Sequence, residues 1–215
     1  MADTLYLSLW YPNLRLAGLA EKLTAVLSTF AAHGGEARVY SSTVWPVSWS
    51  ETPIFQQVYG RIVQIAGTED GPQSPLGALP QEAVAEAMAQ LYDDYAYEFQ
   101  IGWSLWELVS AEGLDSRWVR QPRLVRVVGY GPLFDEGAYE ADGHIRIDFG
   151  SDTPFLEEDT ELDSVGAGHV AENVVQLVAL AGAVEKASGA TARLLWSELG
   201  ESLAERLALR LGVRN

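Results

Sequence analysis

Hydrophobic and polar positions follow two regular periods along the first half of the chain. Apolar residues that alternate with polar ones, or runs rich in β-branched and aromatic residues, predict strands. These predicted strands cover residues 4–10, 36–45, 54–66 and 95–105. Apolar residues at helical spacing predict a helix from Leu16 to the Gly34-Gly35 pair and another that begins at Pro80. The predicted order is therefore β-α-β-β-α-β.

The second half continues with the same two kinds of pattern. Its predicted strands cover residues 123–130, 144–149 and 192–196. A helix predicted over residues 170–187 is apolar nearly all round, so we expect it to be buried on most sides. An amphipathic helix is predicted over residues 198–211. Both halves thus mix helices with strands.

The order of elements in the first half resembles the ferredoxin-like sandwich, in which two helices pack on one face of an antiparallel sheet. The resemblance implies a fold and no activity. We therefore expect an α+β protein with helices on one face of antiparallel sheets. Residues 1–112 would form a ferredoxin-like subdomain and residues 113–215 a second α+β subdomain, as separate units or one continuous unit. Similar residues at 19–21 and 170–172 suggest a distant tandem repeat.

The composition narrows the class of protein. The 215 residues are 48% hydrophobic and 20% charged, which is typical of a globular protein. The absence of cysteine excludes disulfides, thiolate nucleophiles and thiolate metal sites. No apolar run approaches the ~18 residues of a membrane span, and the N-terminus lacks the basic residues of a signal peptide. We therefore expect a cytoplasmic protein that does not associate with membranes. The twelve arginines against two lysines are typical of a GC-rich bacterial genome, so we expect a bacterial origin.

The negative charge bears on the partners of the protein. The chain has 30 acidic and 14 basic residues, a net charge of −16. Residues 131–163 contain eleven acids and one base, Arg146, and so supply ten of the sixteen negative charges. Nucleic-acid binding requires clustered lysines and arginines, which the chain lacks. We therefore expect that the protein does not bind nucleic acid. We expect the acidic segment to be either a solvated loop or a surface that binds a basic partner.

Candidate chemistry is concentrated on one predicted strand. One face of this strand would carry His144, Arg146 and Asp148. These residues could bind an anionic ligand, take part in general acid–base catalysis or be solvated. Among seven tryptophans, Trp49 and Trp106 are the ones expected to be exposed and available to a ligand.

Metal binding and catalysis have weaker support. The carboxylates of Asp94, Glu98 and Asp148 are weak candidates for metal ligands. Residues 169–173 come close to an inverted zinc-protease motif, but Asn173 stands where that motif needs its second histidine. No set of catalytic residues is recognisable, and no cofactor is predicted.

Three functional hypotheses follow. The first is a non-catalytic binding module for a basic protein partner or a small ligand, for example an immunity-type protein that neutralises a basic toxin. The second is a metal-dependent hydrolase or other small-molecule enzyme that uses His144 and Asp148. The third is a structural subunit of a homo-oligomer, assembled through a strand edge or the last helix.

Overall fold

Seven strands form a single antiparallel sheet in the computed structural model, which describes residues 3–60, 77–110, 116–158, 161–198 and 203–212. The strands are β1 (Thr4–Trp10), β2 (Gly35–Pro46), β3 (Phe55–Val58), β4 (Tyr95–Ser110), β5 (Ser116–Tyr130), β6 (Ile145–Ser151) and β7 (Ala192–Ser197). The helices are α1 (Leu16–Thr29), α2 (Pro80–Ala87), α3 (Tyr139–Asp142), α4 (Thr153–Leu156), α5 (Ser164–Ser188) and α6 (Leu203–Arg210). The strand order is β3-β2-β4-β5-β6-β1-β7.

One face of the sheet carries the main hydrophobic core, as strand periodicity requires. Alternate residues of β4, such as Phe99, Ile101 and Trp103, are fully buried there. Residues of α1, α2, α4, α5 and α6 pack into the same core. The α+β class with an antiparallel sheet is therefore confirmed.

The ferredoxin-like order of the first half is not confirmed. In the structure β1 pairs with β6 on one side and β7 on the other, so β5 and β6 separate it from β4. Both hydrogen-bonding edges of β1 are thus occupied by strands of the second half, and β1 cannot join a separate first-half sheet. The tandem repeat is not confirmed either. The division at residue 112 falls in the β4–β5 connection, and its status as a boundary between folding units stays a prediction.

Several element boundaries differ from those predicted. β5 begins at Ser116 rather than at residue 123, because it continues to pair with β4 beyond the rest of the sheet. The predicted strand over residues 54–66 is present at Phe55–Val58, and residues 61–66 lie outside the described part of the chain. The last helix begins at Leu203, and residues 199–202 are likewise outside it. The short helices α3 and α4 were not predicted.

Helix α5 differs from its prediction in burial. Val170, Val174 and Leu177 lie in the core, but Val175 is 58% exposed, so one apolar face is solvent-accessible. By length and composition alone α5 is long and apolar enough to cross a membrane, with a mean hydropathy of 1.3 over its best window. A count of consecutive apolar residues misses α5 because polar residues such as His169, Glu172 and Gln176 interrupt the run. Core helices of soluble proteins meet the same criterion of length and composition, so α5 is only weak evidence for a membrane span.

The second face of the sheet has no layer of long helices among the described residues. At one end, residues 46–54 and 131–143 cover it and enclose a small second core. The buried members of this core are Ala96, Val128, Tyr130 and Phe134. Elsewhere this face exposes apolar side chains, including Leu124 and Leu194. The candidate residues lie on this face or at its covered end.

Candidate functional site

Arg126 joins two carboxylates across three neighbouring strands on the second face of the sheet. Its Nη2 lies 3.3 Å from Asp148 Oδ2 on β6, and its Nη1 lies 3.5 Å from Glu98 Oε2 on β4. The Glu98 carboxylate also accepts a hydrogen bond of 3.1 Å from Trp45 Nε1. The Glu98 side chain is only 10% exposed. A buried carboxylate requires such partners, because leaving it unpaired is costly.

Arg146 occupies a second charged position on the same face. It forms an ion pair with Asp142, and its guanidinium lies 5.3 Å from the ring centre of Tyr6 and 5.7 Å from that of Tyr130. The Tyr130 hydroxyl is buried beside this pair and makes no hydrogen bond of normal geometry among the described residues. Burial raises the pKa of Tyr130, with Arg146 opposing and Asp142 adding to the shift. Arg146 is thus enclosed by rings and one carboxylate.

The three residues predicted to form an anion site have separate partners in the structure. Arg146 and Asp148 share a sheet face, as predicted, but each is paired within the protein. His144 lies just before β6, and its Nδ1 accepts a hydrogen bond of 3.3 Å from the Tyr11 N–H. Burial lowers the pKa of His144 from its ordinary 6.5, so the imidazole is neutral at pH 7. Their binding of an anionic ligand stays a prediction.

The two candidate tryptophans lie far apart and are half-buried. Trp49 packs edge-on against Phe134, with ring centres 5.0 Å apart, and lies beneath the Arg126 guanidinium. Trp106 lies near the far end of β4, where its ring is 3.9 Å from that of His169 on α5. Trp49 therefore belongs to the covered end of the second face, and Trp106 to the contact between the β4–β5 hairpin and α5.

The weak metal candidates do not converge in the structure. Arg126 lies between Glu98 and Asp148, and its positive charge occupies the position that a cation would take. Asp94 lies in the turn before β4. Among the described residues, no group of three His, Asp or Glu side chains is arranged to hold a metal ion. The metal-dependent hydrolase stays a prediction, with no ligand set in the described parts of the chain.

Four of the eleven acids in the segment 131–163 form ion pairs with arginines. Among the described residues these pairs are Asp142–Arg146, Asp148–Arg126, Asp152–Arg206 and Glu158–Arg206. The hydrogen bond from Arg206 lowers the pKa of Glu158. Asp163 caps α5 by accepting the Gly166 N–H at 2.7 Å. The segment is therefore not a uniform acidic surface.

Three loops meet at the covered end of the second face and are joined by backbone hydrogen bonds. The Val47 N–H donates to the Asp94 carbonyl, the Asp135 N–H to the Val47 carbonyl, and the Leu133 N–H to the Asp93 carbonyl, each at 2.7 Å. Val47 is 53% exposed and Leu133 65% exposed. We define the acidic loop surface as Val47, Asp93, Leu133, Asp135 and Glu136. It combines exposed apolar side chains with carboxylates.

The backbone of the acidic loop surface is strained. Val47, Asp135 and Glu136 have φ angles of 59°, 47° and 58°. Positive φ is uncommon outside glycine and an outlier for a β-branched residue such as valine. Such conformations cost about 1–3 kcal/mol each and persist only where the surroundings impose them. The hydrogen bonds between the loops impose them here, and they hold the surface in one shape.

A cavity of about 310 Å³ lies where β1 and β5 end and β6 begins. Its polar lining comes from Tyr11, Asn13, Tyr130, Tyr139 and His144, and its apolar lining from leucines of the α1 region and Pro132. Of these residues, only His144 was predicted as a candidate from the sequence. Tyr11 and Tyr139 lie outside the predicted strands and helices, whereas Tyr130 ends the strand predicted over residues 123–130. The three tyrosines meet only through the sheet order.

No protein-family model, curated protein or solved structure matches the chain. A functional conclusion therefore depends on the geometry and charge of the described residues.

Proposed function

We propose that this protein is a non-catalytic binding module whose acidic loop surface docks a basic protein partner. The proposal is carried by one observation, which is the exposure of Val47 and Leu133 among carboxylates. Among the described residues, the side chains of Asp93, Asp135 and Glu136 have no cation within ion-pair distance.

The acidic loop surface has the composition expected of a protein interface. The centre of a protein interface is more apolar than its rim, and charged groups at the rim govern the association rate and the choice of partner. Val47 and Leu133 supply the apolar centre, and the three carboxylates favour a partner with lysines or arginines. Because the loops are already held together, little conformational entropy is lost on binding.

The test begins with a photo-crosslinking amino acid in place of Leu133 in the native host. The same residue in place of Leu209 on α6 is the control, because Leu209 is 73% exposed and lies outside the surface. We expect Leu133 to crosslink a basic protein that Leu209 does not. A neutral or acidic partner, or no crosslink specific to Leu133, would contradict the proposal.

The second step measures how the purified partner binds charge-reversed variants. The double variant Asp135→Lys/Glu136→Lys should lower the association rate about tenfold or more and weaken its dependence on salt. Glu21→Lys/Glu161→Lys is the matched control, because it changes the net charge equally at exposed positions outside the surface. Equal losses in both double variants would show that net charge alone matters, and would overturn the docking surface.

The bacterial and cytoplasmic setting, the absence of nucleic-acid and membrane partners, and the tandem origin of the two halves stay predictions. The docking proposal does not depend on them. Assembly of a homo-oligomer also stays a prediction, and a second copy of the chain crosslinked through Leu133 would favour it over a basic partner.

A further inference from the structure

We propose that the cavity beside His144 binds a small, uncharged aromatic ligand that carries a hydrogen-bond acceptor. This inference does not rest on the docking proposal, because the cavity and the acidic loop surface share no residue.

The position of the cavity fits a ligand site. It lies between residues 11–19, which connect β1 to α1 and form the first turn of α1, and residues 130–144, which run from the end of β5 to the start of β6. Its volume of about 310 Å³ is at the lower end of the ~300–1,000 Å³ of ligand pockets, which suits one or two fused rings.

Among the described residues, no ionised side chain lines the cavity. Three leucines, three tyrosines, a proline, an asparagine and His144 surround the cavity. The imidazole is neutral at pH 7, because burial lowers the pKa of His144. Moving an ionised ligand from water into such a lining is costly without an opposite charge to pair with it. The lining therefore favours a neutral ligand.

The imidazole of His144 offers a hydrogen-bond donor to the cavity. Its Nδ1 accepts the Tyr11 N–H, so in the neutral ring the proton is on Nε2. No described residue accepts a hydrogen bond from Nε2. The Tyr11 hydroxyl is already engaged with Ser188 at 2.8 Å. A ligand with a carbonyl or similar acceptor would therefore satisfy the Nε2–H.

The rings around His144 favour a planar ligand. Tyr139 is tilted against the imidazole with ring centres 5.0 Å apart, and Tyr11 meets it edge-on at 6.0 Å. Leu14, Leu16 and Leu19 form the apolar wall. Aromatic rings pack against each other in offset or edge-on contacts, so a planar aromatic ligand fits beside Tyr11 and Tyr139 and against the leucines.

Benzamide, benzoate and benzylammonium are suitable probes, because they share one ring and differ in charge. Binding is measured by saturation-transfer NMR on the full chain, with the His144 side-chain resonances as a second readout. We expect benzamide to bind at millimolar concentration and to shift the imidazole signals. Benzoate and benzylammonium should each bind at least about tenfold more weakly. Equal or tighter binding of either ion, or no benzamide binding, would overturn the proposal.

Variants locate the bound probe. Leu14→Trp should fill the cavity and abolish benzamide binding, whereas Leu124→Trp, at an exposed leucine outside it, should not. His144→Phe should weaken binding about tenfold and His144→Gln, which keeps an N–H donor, should weaken it less. Thermal melting identifies variants that fail to fold. If both Leu14→Trp and His144→Phe fold and leave benzamide binding unchanged, the cavity is not the site.

Discussion

The Asp135 N–H donates a hydrogen bond of 2.7 Å to the Val47 carbonyl, and both residues have positive φ angles. Two strained loop residues thus hold each other in place at the covered end of the sheet. Val47 is also held from the other side, by its own N–H donating to the Asp94 carbonyl. The strain is therefore imposed by contacts between loops, and its relief should be measurable.

Val47→Asn should stabilise the protein. Asparagine tolerates the left-handed region far better than valine, for which this conformation costs about 1–2 kcal/mol. We expect the free energy of unfolding to rise by about 1 kcal/mol and the melting temperature by about 2–4 °C. Val58→Asn, at an exposed position of strand β3, is the control and should give no gain. A lower melting temperature for Val47→Asn would refute the account of strain.

Arg126→Met should destabilise the protein, because it leaves the nearly buried Glu98 without its cation. We expect a loss of about 1–3 kcal/mol in the free energy of unfolding, measured by urea denaturation. Adding Glu98→Gln should recover part of the loss, and the double-mutant cycle gives the coupling energy. Arg117→Met is the control, because Arg117 is exposed and forms no ion pair with a described residue. Additive effects of the two substitutions would contradict the coupling.

His144 should titrate below its ordinary pKa of 6.5, because burial disfavours the charged imidazole. Between the folded-state pKa and 6.5 the unfolded chain binds more protons than the folded one. Stability is therefore fully present above pH 6.5 and is lost as the pH falls through that window. NMR titration gives the pKa, and urea unfolding at a series of pH values gives the slope. His144→Gln should remove this contribution. If the slope of stability against pH were unchanged in that variant, another titratable group would be its source.

The strands could be predicted because each has either an alternating pattern or a run of β-branched and aromatic residues, and β4 shows the alternation most clearly. The position of β1 between β6 and β7 could not, because strand pairing depends on residues far apart in the sequence. The shared face of Arg146 and Asp148 follows from alternation alone. Their ion-pair partners do not follow from alternation. The sheet order brings Arg126 beside Asp148, and the turn before β6 brings Asp142 beside Arg146.

The acidic loop surface illustrates a second limit of prediction. Valine disfavours a positive φ, so no local propensity indicates the conformation of Val47. The excess of acidic residues in segment 131–163 follows from composition alone. Composition does not show that Asp148 is ion-paired whereas Asp135 has no ion pair among the described residues. Only the assembled structure separates the two.

Asn173 stands where an inverted zinc-protease motif would need its second histidine, and in the structure it joins α5 to β4 through hydrogen bonds. Its side chain is fully buried, with Oδ1 accepting the Trp106 N–H at 3.0 Å and Nδ2 donating to the Trp106 and Pro154 carbonyls, each at 2.8 Å. It thereby satisfies the backbone of β4 at Trp106, beyond the part of β4 that pairs with β2 in the described chain. Asn173→Leu should remove these hydrogen bonds, leave buried backbone groups unpaired and lower the free energy of unfolding by about 2–4 kcal/mol.

Amide hydrogen exchange would locate the effect of Asn173→Leu, because the Trp106 N–H should lose its protection while amides in the middle of the sheet keep theirs. Glu172→Gln is the matched control on the same helix. Its ion pair with Arg120, at 2.9 Å, is largely exposed, so its loss should cost less than about 1 kcal/mol. If the two variants were equally stable, Asn173 would not be what holds the β4 edge against α5.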